Sequence, residues 1–155
     1  ETDVDVLIAN EEDAKDVFGI EAADTDVMSG KLNHRGYIHV ARQLTERFGC
    51  KAVAITLRES ISASANNWSG MLYTEGKSYF SRNYLIQLVD RVGGGDSFGG
   101  GLIHAMRKGL SAQDTIEFAV AASCLKQTIE HDFNLVSEAE VLALMHGNSS
   151  GRVQR

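Results

Sequence analysis

Asp90-Arg-Val-Gly-Gly-Gly-Asp96-Ser-Phe-Gly-Gly-Gly101 is the stretch on which the reading of this chain turns. An apolar run, Tyr84 to Val89, leads into it, and an apolar helical pattern leads out. Strand, glycines, helix start is the order in which an anion site is built. Glycine lets the backbone approach a ligand without a Cβ in the way. A helix start adds unpaired N–H groups and the positive end of the helix dipole. The Gly-Lys-Ser/Thr of a P-loop is absent, and so is a G-x-G-x-x-G spacing with an acid further on. Asp96 distinguishes the run. A carboxylate pressed against a phosphate would repel it, but a carboxylate beside one can take a proton from an attacking hydroxyl. The amides of Gly93, Gly94, Gly95 and Asp96 would then steady charge on the transferred group. The same residues also suit a glycine-rich turn with Asp96 as an ordinary N-cap and Gly99 to Gly101 as a helix-packing surface. Residue chemistry alone leaves both open.

Upstream, Val4 to Ala9 reads as a buried strand ending at Asn10. Glu11 to Phe18 reads as a helix with Asn10 as its N-cap, acids in its first turn and Gly19 at its end. Glu21 to Asn33 is weakly patterned, a loop or short helix. His34 to Phe48 places Tyr37, Val40, Ala41, Leu44 and Phe48 on one helical face, closed by Gly49. Lys51 to Leu57 is almost continuously apolar, the pattern of a strand covered on both faces in a parallel sheet. Strand, helix, strand makes a βαβ unit.

Trp68 to Thr74 and Lys77 to Phe80 pair as a hairpin through Glu75-Gly76. Downstream, helices are expected over about 96–107, closed at Gly109, and over 111–128. Ser137-Glu-Ala-Glu140 is a capping box for a last helix to about Met145. Gly147 to Arg155 reads as a disordered tail. The expected fold is α/β: a mainly parallel central sheet flanked by helices, in one domain over residues 1–146, with ligands at the carboxyl ends of the strands.

The 155 residues are 43% hydrophobic, enough for one domain with a core. A net charge of −6 with no basic run argues against a nucleic-acid partner. No apolar stretch reaches the length of a bilayer span, and the acidic start is not a signal peptide, so a cytoplasmic protein is expected. The chain does not begin with Met, which suggests that residue 1 is not the natural start. Cys50 and Cys124 read as reduced, buried thiols. The five histidines show no metal spacing. Trp68, Tyr73, Tyr79 and Phe80 read as packing rather than as a platform for bases.

The pattern Asp90-x-x-Gly93-x-Gly95-Asp96-x-Phe98-x-Gly100 resembles the C-terminal signature of the ribokinase/PfkB family of carbohydrate kinases. Gly94 stands where that family often has Ala, and Arg91-Val92 where it usually has Thr-Thr. Leu7 to Asp13 resembles the family's strand followed by Asn-x-x-Glu, with Asp13 in place of Glu. Val53 to Leu57 resembles the strand entering the nucleotide loop, although the loop's glycines are replaced by Arg58-Glu-Ser60-Ile. Ala121 to Lys126 and Asp132-Phe-Asn134 are similar to the helix and turn near the adenine. The resemblance runs along nearly the whole chain but matches only the second half of the family fold.

This resemblance implies a ribokinase-like α/β fold and transfer of the ATP γ-phosphoryl group to a sugar hydroxyl. Asp96 would be the base and Gly93, Gly94 and Gly95 the anion hole. Thr56, Arg58, Ser60 and Ser123 would lie toward the nucleotide. Asn10 and Asp13 would help place Mg²⁺ and phosphate through water, and Asp90 would lie near a monovalent cation. Within the family the segments are most similar to members acting on 2-keto-3-deoxygluconate. Alternatives are another sugar or nucleoside kinase of the family, or a nucleotide-binding piece inactive without the first half. The sugar pocket and the lid through which a homo-oligomer could form belong to that first half.

Overall fold

A computed structural model of the chain describes residues 4–10, 12, 13, 16 and 34–147. Its elements are β1 (Val6–Asn10), α1 (His34–Phe48), β2 (Ala52–Ser60), β3 (Ala65–Thr74), β4 (Lys77–Phe80), β5 (Tyr84–Gln87), α2 (Gly94–Arg107), α3 (Ala112–Lys126) and α4 (Glu138–His146). The strands run in the order β1-β2-β3-β4, with β5 paired to β3.

The expectation of a mainly parallel sheet is overturned. Only β1 and β2 run parallel, in the register Val6↔Ala52 to Asn10↔Thr56. Just residues 61–64 separate β2 from β3, and just Glu75-Gly76 separates β3 from β4. A parallel crossover needs a dozen residues or more, so both links are antiparallel reversals. β5 then runs back along the start of β3, antiparallel, from Ala65↔Gln87 to Trp68↔Tyr84. Residues Ala52 to Leu57 are all buried, as their apolar run promised. Such a run reports cover on both faces of a strand. Direction is decided by the length of the links, which that pattern does not carry.

The chain forms two compact units, Glu1–Leu57 with Met71–Tyr79, and Arg58–Gly70 with Phe80–Arg155. In the first, α1 buries Tyr37, Val40, Ala41 and Leu44 of the face its spacing defined, while Phe48, expected on the same face, is only half-buried at the helix end. Gly49 closes that helix in the left-handed region, at φ 63°, and its N–H donates to the Thr45 carbonyl at 2.7 Å. Glu75 and Gly76 both have positive φ, 50° and 72°, as the tightest hairpin turn requires. The expected helix after Asn10 is described at Glu12, Asp13 and Asp16, which are helical. Gly19, the 21–33 segment and residues 148–155 lie outside the described residues.

In the second unit α3 is buried around most of its circumference, from Thr115 and Ile116 to Lys126. A Cβ added to Gly101 of α2 would sit 3.1 Å from the Ala119 Cα and the Ala122 Cβ of α3, so the two helices meet backbone to backbone there. α4 lays Val141 and Met145 on Ala105, Phe118, Ala121, Ala122 and Leu125. Its capping box is formed in full: Ser137 Oγ accepts from the Glu140 N–H, and the Ser137 N–H donates to Glu140 Oε2 at 2.8 Å. α2 begins at Gly94, two residues before the sequence pattern placed it.

Candidate active site

The glycine segment is held by the end of α3 and the turn beyond it. The Gln127 carbonyl accepts from the N–H groups of Val89 at 2.9 Å and Asp90 at 3.3 Å. Asp90 closes the other side: its Oδ1 accepts from the Val92 N–H and its Oδ2 from the His131 N–H, each at 3.0 Å. These bonds, the one from Val92 foremost, hold the Asp90 carboxyl below the usual carboxylate range. The Lys126 ammonium adds to the effect. Lys126 is fully buried, with Nζ donating to the Ile129 carbonyl at 3.2 Å. Asp90 therefore clamps two backbone segments, with both oxygens engaged.

The three glycines stand in three different environments. Gly93 is the N-cap of α2 at φ 77°, ψ 0°, and a Cβ there would run into the Asp132 carbonyl oxygen. Gly94 is buried, and its Cβ would come no closer than 3.4 Å, to Gln127. Gly95 opens on free space. The Gly94 N–H donates to Arg91 O and the Ser97 N–H to Gly93 O, whereas among the described residues the N–H groups of Gly95 and Asp96 meet no acceptor. These two donors, at an N-terminus with no side-chain cap, fit an anion.

Asp96 lies on the third residue of α2, exposed, and among the described residues its carboxylate makes no hydrogen bond or ion pair. The alternative in which Asp96 caps the helix is set aside by this geometry, since Gly93 occupies the cap and Asp96 does not reach back to it. The carboxylate is free to meet a hydroxyl.

A cavity of about 400 Å³ opens beside it, lined among others by Asp96, Gly100, His104, Phe118, Asp132 and Asn134. His104 stacks on Phe118 with ring centroids 5.3 Å apart, and its Nε2 is 3.5 Å from Glu138 Oε2. The Asp132-Phe-Asn134 turn, expected near the adenine, forms part of this wall. Its size and its apolar side suit a flat ring.

Ser123 is placed differently from the expectation of a nucleotide contact. It has no exposed surface, and its hydroxyl donates to the Gly94 carbonyl at 2.9 Å. Arg58 and Ser60 lie near the end of β2, both exposed, and strand alternation puts them on one face. Sequence reading missed Gln127 and His131, which act here through backbone groups. Gln127 had only its position to signal it, one turn beyond Ser123, and His131 had no sequence signal: its positive φ of 65° shows only in the structure.

In the first unit, the β1–β2 register sets Asn10 opposite Thr56, which is buried. Asn10 and Asp13 lock each other. Asn10 Oδ1 accepts from the N–H groups of Glu12 at 2.7 Å and Asp13 at 2.8 Å, and Asp13 Oδ2 accepts from the Asn10 N–H at 2.9 Å. Two amides saturate Asn10 Oδ1, so the pair does not fit direct coordination of Mg²⁺; among the described residues the second Asp13 oxygen has no partner and could meet the water of a hydrated ion. Among the described residues no three His, Cys, Asp or Glu side chains gather as a metal-binding group, and no helix is long and apolar enough to cross a membrane.

A model of the pfkB family carbohydrate kinases matches residues 2–130. The chain belongs to the pfkB family of carbohydrate kinases. Among solved structures it is similar to the 2-dehydro-3-deoxygluconokinase of Thermotoga maritima, at 47% identity and a TM-score of 0.83, over 93% of this chain and 42% of that one. It is also similar to a PfkB family carbohydrate kinase from Listeria grayi, at 29% identity and a TM-score of 0.76, with the same coverage of both chains. A curated ribokinase of Haemophilus influenzae is 25% identical over 125 residues, 81% of this chain and 35% of its own length. The chain thus spans well under half the length of these relatives.

Proposed function

We propose that this chain carries the phosphate-and-base portion of an ATP-dependent sugar kinase acting on 2-keto-3-deoxygluconate. The observation that carries the reading is the pairing, at one helix start, of the Asp96 carboxylate with the N–H groups of Gly95 and Asp96, none of which has a partner among the described residues. Asp96 takes the proton from the sugar hydroxyl as its oxygen bonds to the γ-phosphorus. The bond from that phosphorus to the β–γ bridging oxygen breaks, and ADP leaves with the electron pair. The Gly95 and Asp96 amides face the charge on the transferred group. The cavity beside Asn134 takes the adenine. Mg²⁺, when bound, neutralises phosphate charge. Roles for Asn10 and Asp13 toward that ion, and for Thr56, Arg58 and Ser60 toward nucleotide, rest on the family resemblance.

The substrate class rests on the 47% identity to the Thermotoga maritima enzyme. In the enzyme carrying this sequence, Asp96→Asn is expected to lower kcat by about 10²–10⁴ while leaving ATP affinity in place, the range of one positioned base. Turnover like the wild type in that variant would remove Asp96 from the mechanism. A panel of 2-keto-3-deoxygluconate, ribose, fructose, fructose phosphate and adenosine tests the substrate, with the first expected to give the highest kcat/KM.

A further inference from the structure

Ser123 sits in α3 among apolar neighbours, Ala121, Ala122, Cys124 and Leu125, and all of them are buried. Alanine would pack there almost as well, so a hydroxyl in that position calls for a reason. Buried hydroxyls must be paired, and a helical serine ordinarily pairs with the carbonyl four residues back. Ser123 instead reaches across to another helix, donating to the Gly94 carbonyl, 29 residues away in the chain.

The carbonyl it chooses belongs to the peptide that also contains the Gly95 N–H. In a planar trans peptide the C=O and the following N–H point in opposite directions, and the structure has no cis peptides among the described residues. Fixing the Gly94 oxygen toward the interior therefore fixes the Gly95 hydrogen outward. That hydrogen has no acceptor among the described residues, and the space around Gly95 is open. Gly94 and Gly95 open α2, whose ladder already holds the peptide from one side, but glycine has the widest torsional freedom of any residue, so a second restraint counts most at this first turn. Gln127, one turn along α3, supports the same segment: its carbonyl holds the Val89 and Asp90 amides and its side chain underlies Gly94.

We infer that Ser123 is a positioning residue which, by holding the Gly94 carbonyl, aims the Gly95 N–H at the transferred phosphoryl group. The inference rests on the reading of the glycine segment as an anion hole. Ser123 touches no substrate. Its contribution lies in the direction of one donor, and donors aimed in advance are what make such sites effective.

The test uses the ¹⁵N-labelled chain titrated with inorganic phosphate, following the amide signals of Gly95 and Asp96. In the wild type both signals move. In Ser123→Ala the Gly95 response is expected to shrink by at least half and phosphate affinity to fall about fivefold, the equivalent of one modest hydrogen bond, while Asp96 still responds. Ser123→Thr, which keeps the hydroxyl, restores the Gly95 response. Ser123→Cys keeps the volume with a far weaker donor, and it is expected to behave as the alanine variant even if that variant folds poorly. A full Gly95 response in folded Ser123→Ala or Ser123→Cys overturns the positioning role and leaves the anion hole standing. A wild-type chain in which neither amide responds overturns the anion hole and the inference together.

Discussion

The N–H of His131 donates to the Oδ2 of Asp90 at 3.0 Å, joining positions 41 residues apart. The other oxygen of the same carboxylate holds the Val92 N–H, so a single side chain sets the entrance to the glycine segment against the turn after α3. Asparagine cannot reproduce this, because its NH₂ would face an N–H. Asp90→Asn is expected to lower the thermal midpoint at pH 7. The folded state depresses the Asp90 pKa, so this stabilisation is complete above the unfolded value, about 3.9, and is lost as pH falls through the lower folded value. The gap in midpoint between wild type and variant should close below about pH 4. A gap that stays constant with pH would contradict the clamp.

The glycines of the run are not equivalent. Gly93→Ala forces a side chain into the left-handed region, at roughly 1–2 kcal/mol, and drives its methyl into the Asp132 carbonyl. Gly94→Ala meets only an ordinary contact with Gln127. The first substitution should lower the denaturation midpoint by several degrees or more. The second should leave it nearly unchanged, and equal losses at both positions would refute the distinction.

Tyr84 is buried and its hydroxyl has no partner among the described residues. Tyr84→Phe deletes an unsatisfied polar atom and little else, and a gain of about 1 kcal/mol is expected. Burial also raises the phenol pKa well above its usual value. The folded state thus resists ionisation, and stability is full below about pH 10 and declines as pH rises beyond it. The phenylalanine variant should escape that share of alkaline loss, which chemical denaturation at pH 8 and pH 11 would measure.

At α4, Ser137→Ala removes the hydroxyl that accepts from Glu140 and with it half of the capping box. A loss of about 1 kcal/mol in unfolding free energy is expected. A loss under a quarter of that would show the helix to be held by Val141 and Met145 alone.

Local signals translated well. The α1 face apart from Phe48, the Glu75-Gly76 turn and the Ser137 box each depend on residues a few positions apart, and each forms as its sequence pattern indicates. Strand direction did not translate, because it depends on link length, and the apolar runs look alike in either direction. At the site, the glycine run and Asp96 stood out by residue type. The bonds that hold them did not: the Gln127 carbonyl and the His131 amide belong to a backbone every residue shares. The inward turn of Ser123 depends on α2 lying across α3, a packing fact beyond any short window.

The sheet's mixed direction bears on the order in which the chain assembles. From β2 to β4 each strand is reached by a short reversal, and β5 carries on in the direction of β4 along the start of β3, so residues 52–87 can zip together with little loss of chain entropy. β1 is different. Its parallel pairing with β2 brings Asn10 and Ala52 into one ladder across a loop of some forty residues, a closure costlier by roughly (3/2)RT times the logarithm of the length ratio. The strand bearing Asn10 is therefore the late arrival, and in native-state hydrogen exchange its amides should open at lower free energy than those of β3.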